Sequence, residues 1–290
     1  MKKIAMRVGI VTIILNTVLS AVKLFAGISG NSEAMISDAV HSISDVLSTI
    51  VVMIGISISR RQSDKGHPYG HERFECVAAL ILSVMLFLTG AALGISSMEK
   101  IISGTATGEP ELRALLAAVV SIIVKEWMYR YTRKAAVKVN SGALMADAWH
   151  HRSDALSSVG SFAGILGARL GLPVLDSVAG ILICVLIIKA SVEIFMDAVN
   201  KMIDKSCDED MEKEIASTVM QNESVLGIDR MKTRLFGDKI YVDLEIQMDG
   251  SKSLYEAHGI DHGLHDAVET GFPLVKHCMI HVNPTQDGIL

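Results

Sequence analysis

Cysteine is scarce. Four stand in 290 residues, Cys76, Cys184, Cys207 and Cys278, and no two form a Cys-x-x-Cys pair. That spacing argues against a disulfide framework and against a thiolate metal site. A basic stripe is also missing. The net charge is -5, with no Lys/Arg cluster of the kind that binds nucleic acid. No His-Glu-x-x-His occurs, so the chain lacks that signature of a metal-dependent hydrolase and is not expected to be an enzyme. Aromatics make up only 5%. The fifteen methionines read as helix packing rather than a copper path.

Apolar residues are abundant. Half the chain is hydrophobic, and the mean hydropathy is +0.40. The apolar residues are bunched into runs near the ~20 residues that span a bilayer. Six spans are expected: 4–28, 32–59, 74–98, 111–131, 141–170 and 173–202. The first reads as a span rather than a cleaved signal, because its apolar run is long and no small-residue cleavage site follows. Lys2, Lys3 and Arg7 precede the first span. Arg60, Arg61, Lys65 and Arg73 follow the second, Arg130, Arg133, Lys134 and Lys138 the fourth, and Lys201 and Lys205 the sixth. By the positive-inside rule both termini face the cytoplasm. The division is therefore a six-helix membrane domain, 1–205, and a cytoplasmic domain, 206–290. In the latter, 208–221 reads as a helix, 225–235 and 239–248 as a hairpin turning at Gly237-Asp238, 253–270 as a helix capped by Ser253, and 274–282 as a strand. That order makes an α+β, αββαβ domain.

One phrase occurs twice. Residues 38–48 and 147–157 agree at seven of eleven positions. Each copy sets His and Asp four apart, His41/Asp45 and His150/Asp154, on one helical face. The second and fifth spans run in opposite directions, so the copies are inverted. His41 then stands level with Asp154, and Asp45 with His150. At ~1.5 Å per residue the pairs sit roughly 12–20 Å deep, near the midplane. Ionisable groups there cost several kcal/mol and usually mark an ion path rather than simple interhelical glue. Two imidazoles and two carboxylates suit a divalent metal. Asp38 and Asp147, three residues before each His, read either as helpers along the path or as polar helix positions. His151 and Arg152 face away from the cluster. Asp64, His67 and His71 form a second group in a polar loop. His258, His262 and His265 follow helical spacing, and His277 and His281 share a strand face.

These features resemble the cation diffusion facilitator family, proton-coupled exporters of divalent transition metals. The likeness runs over essentially the whole chain. It implies that His41, Asp45, His150 and Asp154 are the transport site, in the pattern similar to zinc-selective bacterial members. It implies a loop metal site at Asp64, His67 and His71 in the stretch Asp64-Lys-Gly-His67-Pro-Tyr-Gly-His71. It points to Asp243, His258 and His281 as a regulatory site in the cytoplasmic domain. It also implies a charge lock between Arg73 and Asp204, a homodimer in the lipid bilayer, and residence in a bacterial inner membrane. The expected cargo is Zn²⁺, with Mn²⁺, Fe²⁺, Cd²⁺ or Co²⁺ as alternatives, exchanged for protons. No organic cofactor is expected. The rival reading is a metal-responsive membrane scaffold or sensor that binds without transport.

Overall fold

The computed structural model describes residues 2–29, 33–103, 112–169 and 174–285. The side chains of Asp38 and His41 lie outside the described residues. The chain divides into two compact units, Met1–Val199 and Asn200–Leu290.

The first unit is built from six long helices: α1 (Lys2–Ser29), α2 (Glu33–Ser59), α3 (Phe74–Ser103), α4 (Leu112–Val139), α5 (Gly142–Arg169) and α6 (Val174–Met202). Its polarity is inside out. On α1, Thr12, Asn16 and Ser20 are buried while Ile10, Ile14, Val18 and Val22 are exposed. Both stripes repeat every four residues, so one face is polar and inward and the other apolar and outward. The apolar outer face continues on α3 through Ile81, Met85 and Leu88 and on α6 through Leu182, Val185 and Leu186. Water would penalise that surface, whereas lipid would not. Among the described residues, Lys3–Val22 and Phe74–Ser103 are long and apolar enough to cross a membrane. The helices α2, α4 and α5, also expected to span, carry buried ionisable groups within their apolar runs, Asp45, Lys125, Asp147 and Asp154 among them.

Small residues let the helices approach. A side-chain carbon at Gly55 would lie 2.4 Å from Ala78, and one at Gly94 would lie 2.5 Å from Cys184 Sγ. These positions bring α2 onto α3 and α3 onto α6. The turn that joins α4 to α5 is tight. Asn140 adopts a left-handed conformation (φ 51°). The Ser141 N–H donates back to Ala136 O (3.0 Å) and closes α4. Ser141 Oγ then accepts from the Leu144 N–H (3.2 Å) and starts α5. The two helices return antiparallel from that turn, and α4 runs past the expected end at 131 to Val139. Residues about equally far from Asn140 on its two sides, such as Lys125 and Asp154, therefore meet.

The second unit contains α7 (Glu209–Met220), β1 (Gly227–Phe236), β2 (Lys239–Asp249), α8 (Leu254–Gly271) and β3 (Val275–Thr285). The sheet order is β1-β2-β3, with β1 antiparallel and β3 parallel to β2. Gly237 (φ 66°) makes the hairpin turn. Ser253 and Glu256 form a reciprocal capping box at the start of α8. Alternate residues of β2, namely Ile240, Val242, Leu244, Ile246 and Met248, pack with Ile215, Val219, Leu264 and Val268 from the helices. The small α+β architecture thus follows from strand alternation on one side and helix periodicity on the other.

Candidate functional site

The inverted repeat meets where α2, α4 and α5 pack. Asp45, His150 and Asp154 each offer a ligand atom within 4.8 Å of the others, and all three are buried. His150 Nε2 lies 3.1 Å from Asp45 Oδ1. One turn further along α2, Thr49 Oγ1 donates to Asp147 Oδ1 (3.0 Å). Steps toward the C-terminus of α2 therefore match steps toward the N-terminus of α5, as antiparallel neighbours require. Asp147 and His151 are both fully buried, with His151 Nε2 3.6 Å from Asp147 Oδ2. Arg152 turns away and lays its guanidinium 4.4 Å from the centre of the Tyr129 ring.

The sequence reading missed Lys125. This α4 side chain is 2% exposed and inserts its ammonium between the two carboxylates. Nζ is 2.5 Å from Asp45 Oδ2 and 2.9 Å from Asp154 Oδ2. Two buried carboxylates repel each other and cannot stay ionised together without a nearby positive charge. Lys125 supplies that charge. The signal was present in the chain, since Lys125 stands ~13 residues beyond the start of α4, roughly midway through a bilayer at ~1.5 Å per residue. The same rule that singled out Asp45 and Asp154 applies to it.

The loop before α3 gathers a second group, Asp64, His67 and His71. Asp64 Oδ1 accepts from the backbone N–H of His67 (2.8 Å) and of Gly66 (2.9 Å). Those bonds hold its carboxyl below the usual carboxylate range, the His67 N–H most of all. Asp64 Oδ2 faces His71 Nε2 at 3.4 Å, and the rings of His67 and His71 are 4.4 Å apart. Gly70 (φ 104°) breaks the helical path between the two rings.

In the second unit the grouping differs from the expected one. Among the described residues, Asp243, His258 and His281 do not come together as a ligand set, whereas His265, Glu269 and His277 do. Strand register is the reason. Asp243 pairs with Met279, while His281 pairs with Glu245, two residues further along. His258 projects from the exposed start of α8 toward Asp261, 4.0 Å away. Burial, with Glu269 next in weight, pushes the Cys278 thiol up to about 12, so no thiolate is added there. Arg73 belongs to the first unit and Asp204 (φ 62°) to the second.

Residues 9–203 match the family model of the cation efflux transmembrane domain, and residues 207–285 that of the cation efflux protein cytoplasmic domain. The molecule is therefore a cation-efflux membrane protein with an appended cytoplasmic domain. The chain belongs to the cation diffusion facilitator family. It is 31% identical over 290 residues to the manganese efflux system protein MneP of Bacillus subtilis, covering 98% of this chain and 97% of that one. It is 31% identical over 260 residues to the magnetosome protein MamB of a Magnetospira species, covering 90% and 88%. The solved MamM CTD in its copper form is 20% identical, covers 28% of this chain and 90% of its own, and superposes with a TM-score of 0.27.

Proposed function

We propose that this chain exports Zn²⁺, or a closely similar divalent transition metal, from the cytoplasm in exchange for protons, as a homodimer that alternates access to a midplane site. Membership in a divalent-cation efflux family supports the reaction class. The donor set supports the metal class, since imidazole and carboxylate together suit borderline first-row dications. The observation that carries the reading is the buried convergence of Asp45, His150 and Asp154 around a positive charge. His41, on the inverted copy, is the fourth ligand in this reading.

Lys125 acts here as a tethered stand-in for the cargo. When metal is absent its ammonium neutralises the carboxylates. An arriving dication takes over that duty and displaces it. Metal ligation requires imidazole to be neutral and carboxylate to be ionised, so binding expels protons and protonation expels metal. Opposite proton activities on the two sides then give the cycle a direction. Opening alternates as α2 and α5 rock against the other four helices, the six together spanning the membrane with both termini in the cytoplasm. Asp64, His67 and His71 serve as a loop metal site. Asp147, with Thr49 and His151, lines the inner approach.

The test uses purified protein in liposomes, with Zn²⁺, Mn²⁺, Fe²⁺, Cd²⁺ and Co²⁺ offered with and without a pH step. Zn²⁺ flux should follow the proton gradient, and Asp154→Ala should abolish it while the dimer survives. Metal binding without flux in the parent protein would instead favour the sensor reading.

A further inference from the structure

We propose that His265, Glu269 and His277 form a divalent-metal site on the cytoplasmic domain, distinct from the set Asp243, His258 and His281. The inference stands on the local geometry and does not depend on which cargo the membrane site carries.

The site lies where α8 runs along β3, an outer strand of the sheet. Two side chains of α8 grip the backbone of one residue of that strand, Cys278. His265 Nδ1 lies 2.7 Å from Cys278 O, and the Cys278 N–H donates to Glu269 Oε1 at 3.0 Å. A carbonyl oxygen can only accept, so Nδ1 of His265 carries the hydrogen. The other nitrogen, Nε2, is then the metal-binding one, and it faces Glu269 Oε1 at 3.2 Å. In a neutral ring that places a nitrogen lone pair against a carboxylate oxygen. A cation between them removes the conflict. An N–H···O=C bond on the far nitrogen is also how metal-ligating histidines are commonly held.

His277 approaches the same carboxylate from the strand. Its Nδ1 is 3.1 Å from the same Glu269 Oε1, and its ring is 5.6 Å from that of His265. In a tetrahedral Zn²⁺ site with bonds of about 2.0–2.2 Å, neighbouring ligand atoms are about 3.3–3.6 Å apart. The N···O separations of 3.1 and 3.2 Å therefore need to open by only a few tenths of an ångström. The cradle is fixed by the sheet, by the Cys278 peptide and by the edge-to-face contact of Tyr241 with His277. The three ligands are 29–44% exposed, which leaves the outer position to water. Two imidazoles, one carboxylate and one open position suit Zn²⁺, Co²⁺, Ni²⁺ or Cd²⁺ better than an all-oxygen cation such as Mg²⁺.

Full-length protein in detergent, stripped with chelator, is titrated with Zn²⁺ by equilibrium dialysis and with Co²⁺ by visible absorption. Two variants remove the site. Glu269→Gln keeps an oxygen acceptor for the Cys278 N–H, and His277→Gln leaves that peptide untouched. Each should lose one bound Zn²⁺ per protomer, or weaken it at least about tenfold, together with the matching tetrahedral or five-coordinate Co²⁺ bands. The double variant Asp243→Asn/His281→Gln should retain that equivalent. Melting curves in chelator serve as the folding control, and His277→Gln decides the matter if Glu269→Gln melts early. Unchanged Zn²⁺ stoichiometry and affinity in a folded His277→Gln protein would overturn the proposal. So would loss of the equivalent only in the Asp243/His281 variant.

Discussion

The cluster among the helices and the cluster on the cytoplasmic domain use nearly the same donors and handle charge differently. Asp45, His150 and Asp154 are 1–8% exposed and hold a lysine between their carboxylates. His265, Glu269 and His277 are 29–44% exposed and share one carboxylate with a backbone N–H. Water and mobile ions can neutralise the second group. The first is buried in this conformation, where bringing two like charges together without a partner costs several kcal/mol. On the reading proposed above, the buried site for a removable cation contains its own replacement cation, whereas the exposed one needs only the right spacing.

The sharpest way to break that contrast is Lys125→Met. Methionine fits the apolar path of the lysine stem but leaves Asp45 and Asp154 without their cation. Metal-free protein should lose about 3–5 kcal/mol of stability, the usual cost of breaking a buried ion pair. Saturating Zn²⁺ should restore most of it, because the dication replaces the ammonium. Glu269→Gln in the same melting assay should change stability by under about 1 kcal/mol, as expected for a solvated pair. An equal loss with and without Zn²⁺ in Lys125→Met would mean that Lys125 is structural and not a cargo surrogate.

A smaller effect is expected from His41→Asp. Replacing imidazole by carboxylate hardens the donor set of the membrane site, which favours Mn²⁺ over Zn²⁺ by several-fold in liposome flux. An unchanged metal ranking would show that nitrogen ligation at position 41 is not what selects. The same variant should leave Zn²⁺ binding to His265, Glu269 and His277 untouched.

How far the chain could be read in advance differs between the regions for a physical reason. Asp45, His150 and Asp154 were legible because a repeated motif carries a spacing, and helical spacing fixes a face. The order of elements after Asp208 was legible because strand alternation and Ser253 capping are local. Lys125 lies outside the repeat, alone on α4, and its two partners come from α2 and α5, so no local spacing announces it. The grouping of His265 and Glu269 with His277 was out of reach. It depends on β3 lying beside α8 and on the register that puts Cys278 at their level, and neither is local. Register also separates Asp243 from His281, which strand alternation alone leaves on a common face.

The smallest effect lies at the loop, where the exposed side of the comparison is carried to its limit. Asp64 is held in its charged form by the N–H groups of His67 and Gly66, so its carboxyl titrates below the ordinary range of about 3.9. A group whose value is depressed in the folded state stabilises that state above its unfolded value. The contribution disappears as pH falls through the depressed one. Amide-exchange protection at Gly66 and His67 should therefore hold at pH 5 and fall as the pH drops below the ordinary carboxylate range. Asp64→Asn keeps an oxygen for the same two bonds but has nothing to titrate, so its protection should be lower at pH 5 and flat on acidification. Protection that rose with acid in the parent chain, or that tracked pH equally in the variant, would mean that charge at Asp64 does not hold the turn. The loop would then owe its shape to Gly70 and the packing of His71 against Phe74.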